Sequence, residues 1–238
     1  MGYFDHFEKN KSTRFGQILT DHGIEKEFRI IIRFISNQKK EILEIGPGKG
    51  NLTKKFIDKG YQNFDIVEPN ILMRDNFAGS GIREIKNYEI PELQEKDGSY
   101  DMIICRNVFE HLNDTKEAKF FISEVHRVLR KGGLIVIMSP DYLDWGKDFF
   151  NCDFSHSNIT SVRRTIQLFY NNNIDTIYHN YFYSCFEGFV GKLLNFTVKM
   201  ITFCTKGNSL DSKLYKLRLT FLRRYIIVGR KLSERNEN

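Results

Sequence analysis

Glu41 to Phe56 reads EILEIGPGKGNLTKKF, and the reading of this stretch decides the fold of the chain. Ile42-Leu43-Glu44-Ile45 is a short apolar strand that breaks at Gly46-Pro47-Gly48-Lys49-Gly50. From Leu52 to Asp58 the apolar residues take helical spacing. A strand that turns through glycines into a helix is the nucleotide-binding corner of a doubly wound α/β sheet. Glycine is needed where the backbone takes positive φ or approaches a ligand closely. The helix start supplies N–H groups with no partner inside the helix.

A dinucleotide fingerprint would place its third glycine five residues after Gly46, where Asn51 stands. The strand also carries Glu44, whose charge suits a cationic ligand better than a pyrophosphate. With Gly46, Gly48 and Gly50 it makes E-x-G-x-G-x-G, which resembles motif I of the class I S-adenosylmethionine (SAM)-dependent methyltransferases. That resemblance implies SAM as cofactor, with Glu44 meeting the methionine ammonium. The predicted second strand, Asn63–Val67, ends at Glu68-Pro69-Asn70. A carboxylate at that tip can accept from both ribose hydroxyls.

A third strand, Ile82–Lys86, leads to Asn87-Tyr88, where the resemblance places the acceptor for the adenine amino group. Tyr100–Cys105 is the fourth strand, followed by Arg106-Asn107-Val108-Phe109-Glu110-His111-Leu112. This run resembles the segment of small-molecule methyltransferases related to ubiquinone biosynthesis that faces cofactor and substrate. Motif I also resembles that of the ribosomal RNA adenine dimethyltransferases. Those enzymes carry N-[LIV]-P-[YF] after strand four, and the proline is missing here, which disfavours a nucleic-acid acceptor. A helix over Ala118–Leu129, ended by Lys131-Gly132-Gly133, precedes strand five, Leu134–Met138. The run EVHRVLRKGGLIVIMSP resembles the family's last common motif, so the resemblance covers Glu41 to Pro140.

Beyond it, Asp153-Phe154-Ser155-His156 is similar to a D-P-[TS]-H element of bacterial methyltransferases acting on surface polysaccharides and small metabolites, with Phe154 in the place of proline. Histidine titrates near neutral pH and can take a proton from a hydroxyl. His156 is therefore the expected general base, with Asp153 orienting it or binding the acceptor, and His111 is its competitor. In the alternative reading, Asp153 or His156 only caps the helix predicted over Ser161–Tyr170.

The 238 residues, 41% apolar, suit one domain with a full-sized core. Four scattered cysteines, with no C-x-x-C pair, argue for a reducing compartment and against a disulfide or zinc framework, and no metal site is expected. There is no apolar N-terminal signal region, so a cytoplasmic location, in reach of the inner face of the membrane, is the expectation. Up to Ser155 the chain has 23 basic and 25 acidic residues, a net of −2; from His156 onward it has 13 and 5, a net of +8. Such an excess favours an acidic substrate, an anionic membrane surface or nucleic acid, or is simply a solvated basic face.

Apolar spacing predicts a helix over Ile24–Ile35 within an N-terminal cap of residues 1–40. Ile174–Tyr183 and Arg224–Lys231 read as strands six and seven, the antiparallel edge pair that the resemblance implies. Between them lies a helical insertion, residues 184–220, which the resemblance does not explain. Its segment Phe186–Cys204, FEGFVGKLLNFTVKMITFC, is too apolar for one narrow stripe, while Lys192, Lys199, Gly188 and Gly191 argue against a transmembrane span. It has three places to bury itself: a lid over the acceptor pocket, a homodimer contact, or peripheral contact with a membrane through residues 186–204. The expected fold is a doubly wound, seven-stranded, mostly parallel α/β sheet in one domain, 1–238. The expected function is methyl transfer from SAM to a small or lipid-linked acceptor, a hydroxyl of a sugar or related metabolite. The alternatives are a nucleic-acid methyltransferase and a SAM-binding scaffold without turnover.

Overall fold

The structure, a computed structural model, describes residues 14–204 and 213–232. Residues 1–13 of the predicted cap and 205–212 of the predicted insertion lie outside the described residues. Seven strands form one sheet: β1 (Ile42–Ile45), β2 (Phe64–Val67), β3 (Glu84–Lys86), β4 (Tyr100–Arg106), β5 (Leu129–Pro140), β6 (Ile174–Tyr183) and β7 (Arg223–Lys231). Their order is β3-β2-β1-β4-β5-β7-β6. The pairs from β3 to β5 are parallel, and β7 runs antiparallel to both β5 and β6.

Helices cover both faces, as parallel strands require. Side chains alternate along each strand, so neighbouring residues enter different cores. Leu43, Ile45, Ile103 and Ile135 meet Phe121 and Val125 of α4 (Thr115–Val128) and Phe169 of α7 (Val162–Asn171). Ile42, Ile66, Met102 and Val136 meet Phe28 and Ile31 of α1 (Arg14–Ile31) and Phe56 of α2 (Asn51–Asp58). The central strands therefore carry continuous apolar runs, Met102–Cys105 in β4 and Leu134–Met138 in β5. Three short helices complete the connections: α3 (Ile71–Asp75), α5 (Tyr142–Trp145) and α6 (Asp148–Asn151).

Two elements differ from the pattern reading. α1 begins ten residues before Ile24, at Arg14, because its polar first turns rest on the late helices: Leu19 packs with Val198 and Phe221. The glycines after α4 do not end that helix. Leu129 already pairs with Tyr100, and the register shifts between Tyr100 and Met102, so Gly132 and Gly133 lie in an irregular stretch within β5. Gly132 has φ +73°, and a Cβ on Gly133 would come within 2.8 Å of the Arg130 carbonyl oxygen and 3.2 Å of that of Asp101. The close approach of β4, not a helix cap, requires glycine there.

Between β6 and β7 stand two helices, α8 (Gly188–Cys204) and α9 (Lys213–Phe221). Among the described residues no helix is long and apolar enough to cross a membrane.

Candidate active site

The corner between β1 and α2 is built from three glycines in the left-handed region, at φ +62° for Gly46, +56° for Gly48 and +69° for Gly50. A Cβ on Gly46 would lie 2.3 Å from Val108 Cγ2, and one on Gly50 would lie 2.4 Å from Phe77 Cε1. Packing and φ thus both demand glycine at these two positions. At Gly48 a Cβ would meet nothing within 4 Å, so that turn opens onto space. An open left-handed turn ahead of a helix N-terminus fits a ligand that approaches the backbone.

Glu68 stands at the end of β2, only 6% exposed, and its carboxylate accepts from the Asn70 N–H at 3.0 Å and faces the Gly48 N–H. Burial raises its pKa. It ties the glycine turn to β2 and can still accept from further donors, having four lone-pair sites. Pro69 follows it, and Asn70 caps α3 through its side chain. These features fit a nucleoside held by its ribose at the sheet's carboxyl edge.

Glu44 points into the protein. It is 1% exposed, and Thr53 Oγ1 donates to it at 2.6 Å. Burial pushes its pKa up to about 7, against which Thr53 and the Arg106 charge act. The sequence pattern could not show Thr53 as its partner, because the bond joins β1 to α2 across the turn. A carboxyl raised from about 4.5 to about 7 favours folding fully below pH 4.5, and that contribution is lost as pH rises through 7. Glu44→Gln keeps the acceptor and removes the ionisation. The variant should therefore gain on wild type by about 3 kcal/mol between pH 5 and pH 8 in urea unfolding of the ligand-free protein. A pH-independent difference between the two proteins would show that Glu44 is ionised throughout.

Of the other predicted cofactor residues, Tyr88, Arg106 and Asn107 have partners of their own. Asn87 is exposed just beyond β3, while Tyr88 turns into the core, where its hydroxyl donates to Glu95. Arg106 donates from Nε to Glu27 of α1 at 2.7 Å, a tether that crosses from β4 to the N-terminal helix. Asn107 takes φ +52°, which asparagine tolerates better than most residues, and its N–H donates to the Met138 carbonyl at 2.8 Å. A cavity of about 500 Å³ lies elsewhere, between α1 and β6, bordered by His22, Lys26, Arg29 and Tyr178 and by none of the corner's residues.

The structure brings His111 and His156 together, with ring centroids 4.8 Å apart. Asp153 does not orient His156 as the sequence reading expected. The turn folds the Asp153 carboxylate back onto Ser155, accepting from its N–H at 3.0 Å and its hydroxyl at 2.6 Å. Ser155 Oγ then lies 2.8 Å from Nδ1 of His111, so the chain of contacts runs Asp153–Ser155–His111. Nδ1 of His156 instead faces the Phe149 carbonyl oxygen at 2.6 Å. The following helix is capped by Ser161, whose hydroxyl accepts from the Arg164 N–H, so neither Asp153 nor His156 caps it. Ser155 was present in the quoted D-F-S-H element, but only the turn shows which histidine it serves.

Burial lowers the pKa of both histidines, and His111 is lowered further by its neighbour, so both are neutral at pH 7. The Ser155 hydroxyl gives its one proton to Asp153, which makes Nδ1 of His111 the donor and leaves the lone pair on Nε2. By the same reasoning His156 donates from Nδ1 to the carbonyl and keeps its lone pair on Nε2. Glu110, 1% exposed, accepts from Ser139 at 2.8 Å, and burial pushes its pKa up to about 7. Among the described residues, Glu110, His111 and His156 are the one group with donor atoms close enough to share a cation, all within 4.8 Å of one another.

Comparison with known proteins bears on the corner and the sheet together. Residues 21–180 match the model of a methyltransferase domain family. An uncharacterised methyltransferase of Oceanobacillus iheyensis is 30% identical over 130 residues, which cover 49% of this chain and 56% of that protein. The chain spans about half the length of the curated relatives it matches. A crystal structure of a SAM-dependent methyltransferase from Thermotoga maritima shares the fold at TM-score 0.63 and 14% identity, over 96% of each chain. So does the [4+2]-cyclase SpnF, at TM-score 0.63 and 11% identity over 88% of this chain and 81% of that one. The glycine corner, the strand order and the match over residues 21–180 agree: the chain belongs to the class I SAM-dependent methyltransferase domain family.

Proposed function

We propose that this chain transfers the methyl group of SAM to a hydroxyl of a small or lipid-linked acceptor, a sugar or related metabolite, with His111 as general base. The carrying observation is the Asp153–Ser155–His111 chain, which fixes a neutral imidazole beside His156. SAM, when bound, supplies a methyl carbon activated by its sulfonium leaving group. The glycine turn and Glu68 hold the nucleoside, and the residues after β4 and in the Asp153–His156 turn face the acceptor. His111 Nε2 takes the hydroxyl proton, and Asp153, acting through Ser155, stabilises the imidazolium that forms. The remaining work is alignment, which the rigid sheet edge provides.

The nucleic-acid alternative loses support from Phe109. It is 1% exposed and packs against Phe121 at 6.1 Å, so it cannot stack on a base. Incubation with methyl-labelled SAM and fractionated small-molecule and lipid extracts tests the reading. Label should enter a product that is stable to ribonuclease. Tight binding of S-adenosylhomocysteine with no label transferred to any fraction would instead make the chain a SAM-binding scaffold.

A further inference from the structure

Helix α8 packs Val198 and Leu194 on the protein with polar groups beside them, and leaves its larger apolar face outward. Its protein-facing side carries polar groups: Asn195 donates to Asp144 of α5 at 2.9 Å and to the Phe221 carbonyl at 2.7 Å. Lys199 Nζ reaches Asp144 Oδ1 at 2.8 Å. Gly191 lets the helix close on β6, since a Cβ there would lie 2.5 Å from the Tyr183 ring. The opposite side presents Phe189 (78% exposed), Leu193 (51%), Phe196 (63%), Met200 (48%) and Phe203 (78%), with Val190 and Ile201 beside them.

With 3.6 residues per turn, these seven side chains span an arc of about 160°, and Lys192 stands at one edge of it. The arc is too wide for the narrow seam along which two helices pair. It also faces away from the protein, so it does not line a pocket as the lid reading requires. From Gly188 to Phe221 the sequence has six basic residues and one acidic residue, Asp211; Lys199 and Arg218 are paired with Asp144 and Asp148, so the positive excess comes from Lys192, Lys206, Lys213 and Lys216. A second copy would bring the same positive charge against itself, whereas an anionic lipid surface complements it. Phenylalanine and leucine on the free face with lysine at the margin is the pattern of a helix lying in the membrane interface.

We infer that the outward face of α8 docks on an anionic lipid bilayer, with Phe189, Leu193, Phe196, Met200 and Phe203 in the interface and Lys192 among the headgroups. Combined with the methyltransferase reading, on which this second step rests, the docked orientation names the acceptor class: a hydroxyl compound carried on a membrane lipid.

The experiment is flotation with vesicles of phosphatidylcholine alone and of phosphatidylcholine mixed with phosphatidylglycerol, at low and high salt. The full chain should float with the anionic vesicles at low salt. Lys192→Ala should weaken binding about fivefold, as expected of one basic residue near the surface. Leu193→Asp with Phe196→Asp should abolish it while S-adenosylhomocysteine binding stays unchanged, which shows that the variant is folded. No flotation of the wild type, or equal flotation of the double variant, overturns the inference. So does a dimer seen by light scattering that the double variant turns into a monomer, since that makes a second copy the occupant. Flotation without S-adenosylhomocysteine binding would keep the membrane contact and discard the methyltransferase reading.

Discussion

Replacing His111 by alanine should slow methyl transfer by about 10²–10⁴-fold, the usual contribution of a general base, with S-adenosylhomocysteine affinity unchanged. The expectation rests on which histidine is positioned for the task. His111 is half-buried and held through Ser155 by Asp153, whereas His156 is 8% exposed, bonded to a backbone carbonyl and packed on Phe149 at 4.8 Å. His156→Ala should therefore act mainly on stability. The relay has its own signature in the pH profile. Asp153 raises the His111 pKa through its charge, so Asp153→Asn should lower that pKa. The acid limb of kcat/KM should then move to lower pH, with the plateau reduced because the base is weaker. A crippled His156→Ala beside an active His111→Ala would exchange the two roles. Loss of activity in chelator, restored by zinc, would mean that Glu110, His111 and His156 hold a cation and that the histidines are ligands, not bases.

Glu68→Ala should weaken S-adenosylhomocysteine binding about ten- to a hundredfold by calorimetry, since a lost carboxylate partner of two hydroxyls costs about 1.5–3 kcal/mol. The structure adds a second reason for the loss. The same carboxylate accepts from the Asn70 N–H and faces that of Gly48, so its removal loosens the turn as well as removing the ribose contact. Glu68→Gln separates the two effects: the amide oxygen can still hold a turn N–H, while the charge offered to the hydroxyls is gone. Unchanged affinity in Glu68→Ala, or tighter binding of NAD than of S-adenosylhomocysteine, would remove Glu68 from the cofactor site.

The sequence by itself determined the parts of this protein whose physics is local. Ile42–Ile45 reads as a strand and Gly46–Gly50 as a turn, because buried parallel strands are mostly apolar and glycine takes left-handed backbone angles most readily. The seven strands follow in the expected order, and the edge pair Ile174–Tyr183 and Arg223–Lys231 falls within a residue of its predicted bounds. The partners of polar side chains were decided only by tertiary structure. Glu44 is legible in the sequence as a carboxylate near the end of β1, but that Thr53 reaches it across the turn and that it is buried are tertiary facts. Arg106 is drawn to Glu27, 79 residues away, because β4 runs beside α1. Asp153 serves His111 and not its near neighbour His156, since a carboxylate two residues before a serine folds onto that serine's N–H. The clearest case is α8. Its apolar composition is plain in the sequence, but periodicity cannot say which face turns inward. Asp144, 51 residues before Asn195, settled that by taking the helix's two polar anchors, which left the phenylalanines on the outside.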